Sequence, residues 1–464
     1  MTKFFLVLPF AALFASCNPP PEFKPLEAGE FWALNFKDDK YYTVKAEIQY
    51  EGEKCVIWAE KGSGIDKAAA KKIADEYDSK IRPGIVGAFG MKDITTTAED
   101  GGIQLNFDDI LDYANWLAGK DNNKLTVLLL DIKDGFENPK TDSFVAGYFF
   151  SGNFYPKNKD NSNGCDMIYV DTYPGLRISR DQTYSTFAHE LQHLINFTTT
   201  TLKRERATDT WIDEGLSSQA EHIYVGKNIE DKCKRFSKDE YGTIAKGNNF
   251  FVWDNHREEP MAILDEYDTV YLFFRWLYLQ ADSELKKTVF LDIEASDFSD
   301  YRVITNVAKK IRPEWADWDS LLGSWLAANY YPANPAYGYI GDSFFQKEIK
   351  VRPLTATSTP LYPGEGVYSV INLNGSFSKP PQSGNIRYSE LNDSASKALL
   401  TFNANTNNSK STDPETGYLT GVSAIVSYPG SRMVVDGVIQ PARTGPYVID
   451  ARDYNPSGKL GRGK

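Results

Sequence analysis

Residues 187–197 read FAHELQHLINF, and no other stretch restricts the fold as tightly. At about 100° per residue, Phe187, Leu191, Leu194 and Ile195 form one apolar stripe, the pattern of a helix that buries one face. His189, Glu190 and His193 fall on the other side. Side chains four positions apart on a helix lie one turn apart on the same face, so the two imidazoles stand together. The fold therefore has to supply a core for the stripe and a cleft for the histidines. Chance spacing is the bland alternative, but the chain has only four histidines in 464 residues. A satisfied pair of core histidines would not require an apolar face opposite it.

The surrounding chain reads as α+β. Residues 31–61 are strand-like, with runs at 41–50 and 54–60 flanking the turn Glu51-Gly52-Glu53. Residues 66–81 read as a helix stopped by Pro83-Gly84, and 107–118 as a second amphipathic helix. KLTVLLLDI at 124–132 is almost continuously apolar, which marks a strand covered on both faces. Strands are expected at 145–150 and 166–171, with a polar loop at 156–164 between them. From about 181 to 330 the chain is helical. Beyond about 351, Gly, Pro, Ser, Asn and Thr punctuate short alternating runs at 367–373, 398–403 and 422–428, the pattern of a β-sandwich. The expected order is an α+β domain over 31–350, a β-sandwich-like accessory domain over 351–455 and a disordered tail over 456–464. The first domain combines a mixed-sheet subdomain with a helical one.

The N-terminus carries an address. One lysine precedes an apolar run at 4–14, and small residues precede Cys17, which together describe an export signal over 1–16. Leu13-Phe14-Ala15-Ser16-Cys17 resembles a bacterial lipobox, with Phe14 where an aliphatic residue is usual. That resemblance implies a lipid on Cys17, followed by a proline-stiffened tether to about residue 30. Plain secretion with Cys17 unmodified is the alternative. No later stretch approaches the roughly 20 apolar residues that cross a bilayer, so membrane contact is expected only through this anchor. A net charge of −12 argues against nucleic acid as a partner. Cys55, Cys165 and Cys233 allow at most one disulfide and lack zinc spacing, so they read as small buried hydrophobes.

His189-Glu190-Leu-Gln-His193 is an HExxH pattern, in which two imidazoles hold one metal ion and Glu190 is placed to deprotonate an attacking water. A hydrolytic Zn²⁺ site needs a third protein ligand. Trp211-Ile-Asp-Glu214-Gly-Leu-Ser-Ser-Gln-Ala-Glu221 supplies one in Glu214, 21 residues after His193 on a second helical stretch. Glu221 lies two turns further along that face. It either accepts the free ring N–H of a ligand histidine or is a solvated surface carboxylate.

HELQH followed by WIDEGLSSQAE resembles the gluzincin branch of the zincin metallopeptidases. KLTVLLLDIKDGF, VAGYF at 145–149 and DMIYVDTYP at 166–174, all preceding HELQHLIN, are similar to the hyicolysin-type bacterial family over roughly residues 85–280. The resemblance implies a zincin-like domain with His189, His193 and Glu214 as zinc ligands and Glu190 as catalytic base. It also implies that Tyr267, which leads the helical stretch EYDTVYLFFRWL, donates to the tetrahedral oxyanion, with Tyr271 in reserve. His222 and His256 are the other candidates for that donor. Aminopeptidases of this branch carry GxMEN upstream; here GAFGMKD at 87–93 lacks the Glu and Asn. An endopeptidase acting on proteins or peptides is therefore expected, with residues 166–170 pairing an extended substrate. The reading from another class is a surface-binding lipoprotein or adhesin built on a degenerate peptidase scaffold.

Overall fold

The apolar run at the centre of the sequence becomes the centre of a sheet. The structure, a computed structural model, describes residues 26–91, 124–137, 144–154, 161–177, 180–201, 207–239, 241–248, 250–253, 263–353, 361–371, 384–392, 397–407, 422–427, 434–435, 438–439 and 447–449. Cys17 and the leader expected at 1–16, the helix expected at 107–118, His256 and the tail expected at 456–464 lie outside the described residues. Strands β1 (Glu30–Asn35), β2 (Lys40–Glu51), β3 (Cys55–Glu60), β4 (Leu125–Leu130), β5 (Phe144–Phe150) and β6 (Met167–Asp171) form most of an eight-stranded sheet. Its order is β1-β2-β3-β4-β6-β5, completed by β10 (Val422–Ser427) and β13 (Tyr447–Ile449). β4 pairs in parallel with both β3 and β6, and the other pairings are antiparallel.

The alternation along β4 sorts its side chains into two cores. Leu125, Val127 and Leu129 join the large core under the helices, whereas Leu128 and Leu130 join a smaller one on the opposite face. The hairpin β1–β2 curls over that second face. Phe31 meets Trp58 edge-on at 5.0 Å, and the Leu34 amide donates to the Tyr148 hydroxyl at 3.0 Å. The register slips between Ile48 and Tyr50 of β2, and such an irregularity lets a long strand bend.

The helices are α1 (Lys67–Glu76), α2 (Arg82–Phe89), α3 (Arg180–Asn196), α4 (Thr210–Val225), α5 (Glu230–Lys238), α6 (Ile263–Gln280), α7 (Val289–Glu294), α8 (Tyr301–Ile311), α9 (Trp318–Tyr330) and α10 (Ser343–Glu348). Asp66 caps α1 by accepting from the Ala69 amide at 2.7 Å. Pro83 does not stop the helix as the sequence suggests. A π turn at Tyr77–Ile81 leads into α2, and Pro83 sits in its first turn, where a missing N–H costs little; Gly90, at φ +74°, makes the stop.

The segment after 351 is shared between sheets. β7 (Gly366–Ile371), β9 (Lys397–Asn403) and β8 (Ile386–Asn392) form a three-stranded antiparallel sheet, and β11 (Val434–Val435) pairs with β12 (Val438–Ile439). The three-stranded sheet docks on α9. The Tyr368 hydroxyl donates to the Leu326 carbonyl at 2.8 Å, and Leu400 and Phe402 belong to the large core. β10 instead joins the eight-stranded sheet beside β5. The expected sandwich is thus not what the described residues form, because alternation shows that a strand has two faces without showing which strand it pairs with. One further expectation changes. β6 is bonded to β4 on one side and β5 on the other, so it has no open edge for an extended substrate.

Candidate metal centre

Helix α3 crosses the large core beside β5. Phe187, Leu191, Leu194 and Ile195 are at most 1% exposed, each contributing about 1.5–3 kcal/mol by leaving water. Phe187 stacks on Tyr77 at 5.0 Å. Two glycines set the approach of the elements. A Cβ on Gly147 of β5 would lie 2.9 Å from the Tyr169 carbonyl oxygen and 3.1 Å from Thr186 of α3. One on Gly215 of α4 would lie 2.2 Å from the Phe274 ring of α6. The polar side of α3 does not open to solvent as expected: His189 and Glu190 are fully buried and His193 is 2% exposed. That side faces α4, whose polar groups meet the Nδ1 atoms of the two imidazoles.

Three side chains converge there. Glu214 Oε2 lies 3.3 Å from His189 Nε2 and 3.5 Å from His193 Nε2. The donor atoms of all three residues lie within 4.8 Å of one another. These buried atoms have no hydrogen-bond partner of good geometry among the described residues, which is costly unless something else sits between them. Ligands about 2.1 Å from a tetrahedral ion are separated by about 3.4 Å, close to the two carboxylate–imidazole separations. Two imidazoles and one carboxylate are a zinc donor set with a position left for water. The residues fit Zn²⁺.

Each imidazole is also held from behind. His189 Nδ1 lies 2.9 Å from Glu221 Oε1, and His193 Nδ1 lies 3.0 Å from Asp213 Oδ1 and 3.1 Å from Ser217 Oγ. Nδ1–H donating to a carboxylate leaves the Nε2 lone pair aimed at the ion. Gln192 donates to Glu294 at 2.7 Å, and Ser217 donates to Gln192, tying α3, α4 and α7 together. Burial opposes charge on His189, but the Glu214 and Glu221 carboxylates outweigh it and raise the pKa. Asp213 and Glu214 do the same, more strongly, for His193. Burial works against ionisation of Glu214 as well, yet the facing imidazoles hold it far below the usual range. Glu190 is different: burial dominates and pushes it up to about 7.

Tyr267 is buried on α6 with its ring edge-on to Trp253 at 4.8 Å. Tyr271 and His222 are used on each other, His222 Nδ1 lying 3.0 Å from the Tyr271 hydroxyl, which also accepts from the Ile229 amide at 2.9 Å. Sequence reasoning passed over Asp213, Ser217 and Lys232. The first two carried a signal, because 213, 214, 217 and 221 share one helical face. Cys55, Cys165 and Cys233 are buried and form no disulfide among the described residues.

No family model matches the chain. It is 27% identical over 337 residues to the neutral metalloprotease ShpI of Staphylococcus hyicus, an alignment covering 70% of this chain and 68% of that protein. The relationship supports a metallopeptidase. It agrees with a His-His-Glu cluster that fits a metal. Among the described residues no helix is long and apolar enough to cross a membrane.

Proposed function

We propose that this chain is a zinc-dependent endopeptidase of the gluzincin type, acting on proteins or peptides and exported to the bacterial envelope on a lipid at Cys17. The observation that carries the reading is the convergence of His189, His193 and Glu214, with a carboxylate behind each imidazole. An adhesin on a degenerate scaffold has no need of three buried donor atoms that converge without hydrogen-bond partners.

His189, His193 and Glu214 would hold Zn²⁺, which supplies Lewis acidity to the water and the scissile carbonyl and whose charge offsets part of the effect of burial on Glu190. Glu190 takes the proton of the attacking water and returns it to the leaving amine. A carboxyl group with a pKa near neutrality suits a proton that must be both accepted and given back. Glu221 and Asp213 keep the imidazoles in the metal-binding tautomer. Tyr267 is the oxyanion donor that the gluzincin resemblance implies, and of the other candidates Tyr271 and His222 are bonded to each other.

Hydrolysis of an unfolded protein, with and without a chelator, tests the reading. Glu190→Gln is expected to keep one zinc per chain and lose about 10²–10⁴-fold in kcat. Normal turnover by that variant, or hydrolysis indifferent to chelator, overturns it.

A further inference from the structure

We propose that Lys232 of α5 is a positioning residue for the metal centre, its ammonium holding the Glu221 carboxylate against Nδ1 of His189. The inference rests on the metallopeptidase reading and extends it to a residue whose hydrogen bonds go to Glu221 and Ser218.

Lys232 is 4% exposed, and an ammonium removed from water is costly unless it is paired. Its Nζ lies 3.1 Å from Glu221 Oε1 and 3.2 Å from Ser218 Oγ. Glu221 Oε1 is the same oxygen that meets His189 Nδ1 at 2.9 Å. One carboxylate oxygen is therefore fixed from two sides, by a cation and by the imidazole it orients. The other ligand histidine has the parallel arrangement. Asp213 Oδ1 meets His193 Nδ1 and also accepts from the Asn196 side-chain Nδ2. The two halves of the site differ in that the donor behind Asp213 lies on α3 itself, whereas the donor behind Glu221 comes from a separate helix.

That helix is anchored firmly enough for the purpose. Arg235, one turn after Lys232, makes a bidentate pair with buried Asp268 of α6 at 2.9 and 2.6 Å. The Ile229 amide at the start of α5 is bonded to Tyr271 of α6. Lys232 thus comes from a fixed base. A glutamate has several rotamers, and without the ammonium the Glu221 carboxylate is held by the imidazole alone. An ionised carboxylate has only acceptors, so it requires Nδ1 to be the donor and leaves Nε2 for the metal.

Zinc affinity of the full chain is measured by chelator competition, and the visible absorption of the cobalt-substituted protein reports ligand geometry. Lys232→Met is expected to bind zinc about tenfold more weakly and to shift the cobalt bands, while melting as a folded protein. Lys232→Arg, which keeps a cation at that place, restores most of the affinity. Lys232→Met combined with Glu221→Gln is expected to be no weaker than Glu221→Gln alone, because both act through the same oxygen. Folded Lys232→Met with native zinc affinity and cobalt spectrum overturns the proposal, as does a double variant whose losses simply add. If the Met variant does not fold, Lys232→Gln takes its place with the same outcomes. A wild-type chain that takes up no zinc sinks the metallopeptidase reading itself, which native affinity in the Lys232 variant would leave standing.

Discussion

Replacing Gly147 by Ala tests whether the spacing between β5 and α3 sets the position of Glu190. The added Cβ would lie 2.9 Å from the Tyr169 carbonyl oxygen, 3.1 Å from Thr186 Cγ2 and 3.7 Å from Glu190 Cγ. Ordinary contact begins at about 3.5 Å, so the neighbours must give by roughly half an ångström. Tyr169 belongs to β6, which is paired on both sides, so its carbonyl yields least and α3 moves. Overpacking costs about 1–3 kcal/mol, and the more favourable backbone entropy of Ala returns about 0.5–1 kcal/mol. The expected net loss is about 1–2 kcal/mol, read as a Tm lower by a few degrees. Thr186 and Glu190 are one turn apart on α3, so the displacement carries the base with it. A misplacement of about 1 Å costs ~10²-fold in rate, so half of that should cost ~10-fold in kcat/KM. Gly87→Ala is the control. Nothing lies within 4 Å of its Cβ in α2, and it should be neutral or stabilising by up to about 1 kcal/mol. Native Tm and native kcat/KM in Gly147→Ala would refute the reasoning.

Asp213→Ala leaves His193 Nδ1 with Ser217 alone and should weaken zinc binding at least tenfold; equal competition against a chelator by variant and wild type would exclude a role for Asp213 in orienting the ligand. His222 has its pKa lowered to about 3, by burial first and then by Arg275. The unfolded chain binds that proton near pH 6.5 and the folded chain does not, so stability is complete above 6.5 and falls as pH drops toward 3, by up to ~5 kcal/mol. His222→Gln should flatten urea-denaturation midpoints across that window, and an unchanged slope would show that another group titrates. Zinc uptake by metal-free protein at neutral pH should release protons from the imidazoles, measurable by calorimetry in buffers of different ionisation enthalpy. Uptake with no buffer dependence would mean that the imidazoles are not charged in the metal-free protein.

Much of the fold was legible where a periodicity has one structural meaning. The stripe Phe187, Leu191, Leu194 and Ile195 lies in the core, and KLTVLLLDI is the two-faced strand it was read as. The reading went astray where the outcome depends on partners. The run at 422–428 reads as a strand and 422–427 form one, but its pairing with β5 is decided by an edge far away in sequence. Pro83 was read as a stop because its missing N–H breaks a helix interior. A π turn immediately before it moved the proline to a helix start, where the same property is tolerated.

The site was legible for the same reason as α3: His189 to His193 and Glu214 to Glu221 are spacings on helical faces, and Asp213 and Ser217 lie on the second of them. Lys232 lies eleven residues beyond Glu221, on a helix whose approach is fixed by Arg235 and Asp268, and no local pattern announces it. The burial of the polar face follows from charge balance. Glu190, Asp213, Glu214 and Glu221 face two imidazoles and a single lysine, so the carboxylates outnumber the one fixed cation there. Such an excess in a low dielectric demands cations. In the metal-free protein the imidazoles take that part, which is why both pKa values rise against burial. A divalent ion between the three donor atoms would supply the same charge and free the imidazoles to be ligands. On the proposed reading, a cation at that place is what lets so many carboxylates lie between two packed helices.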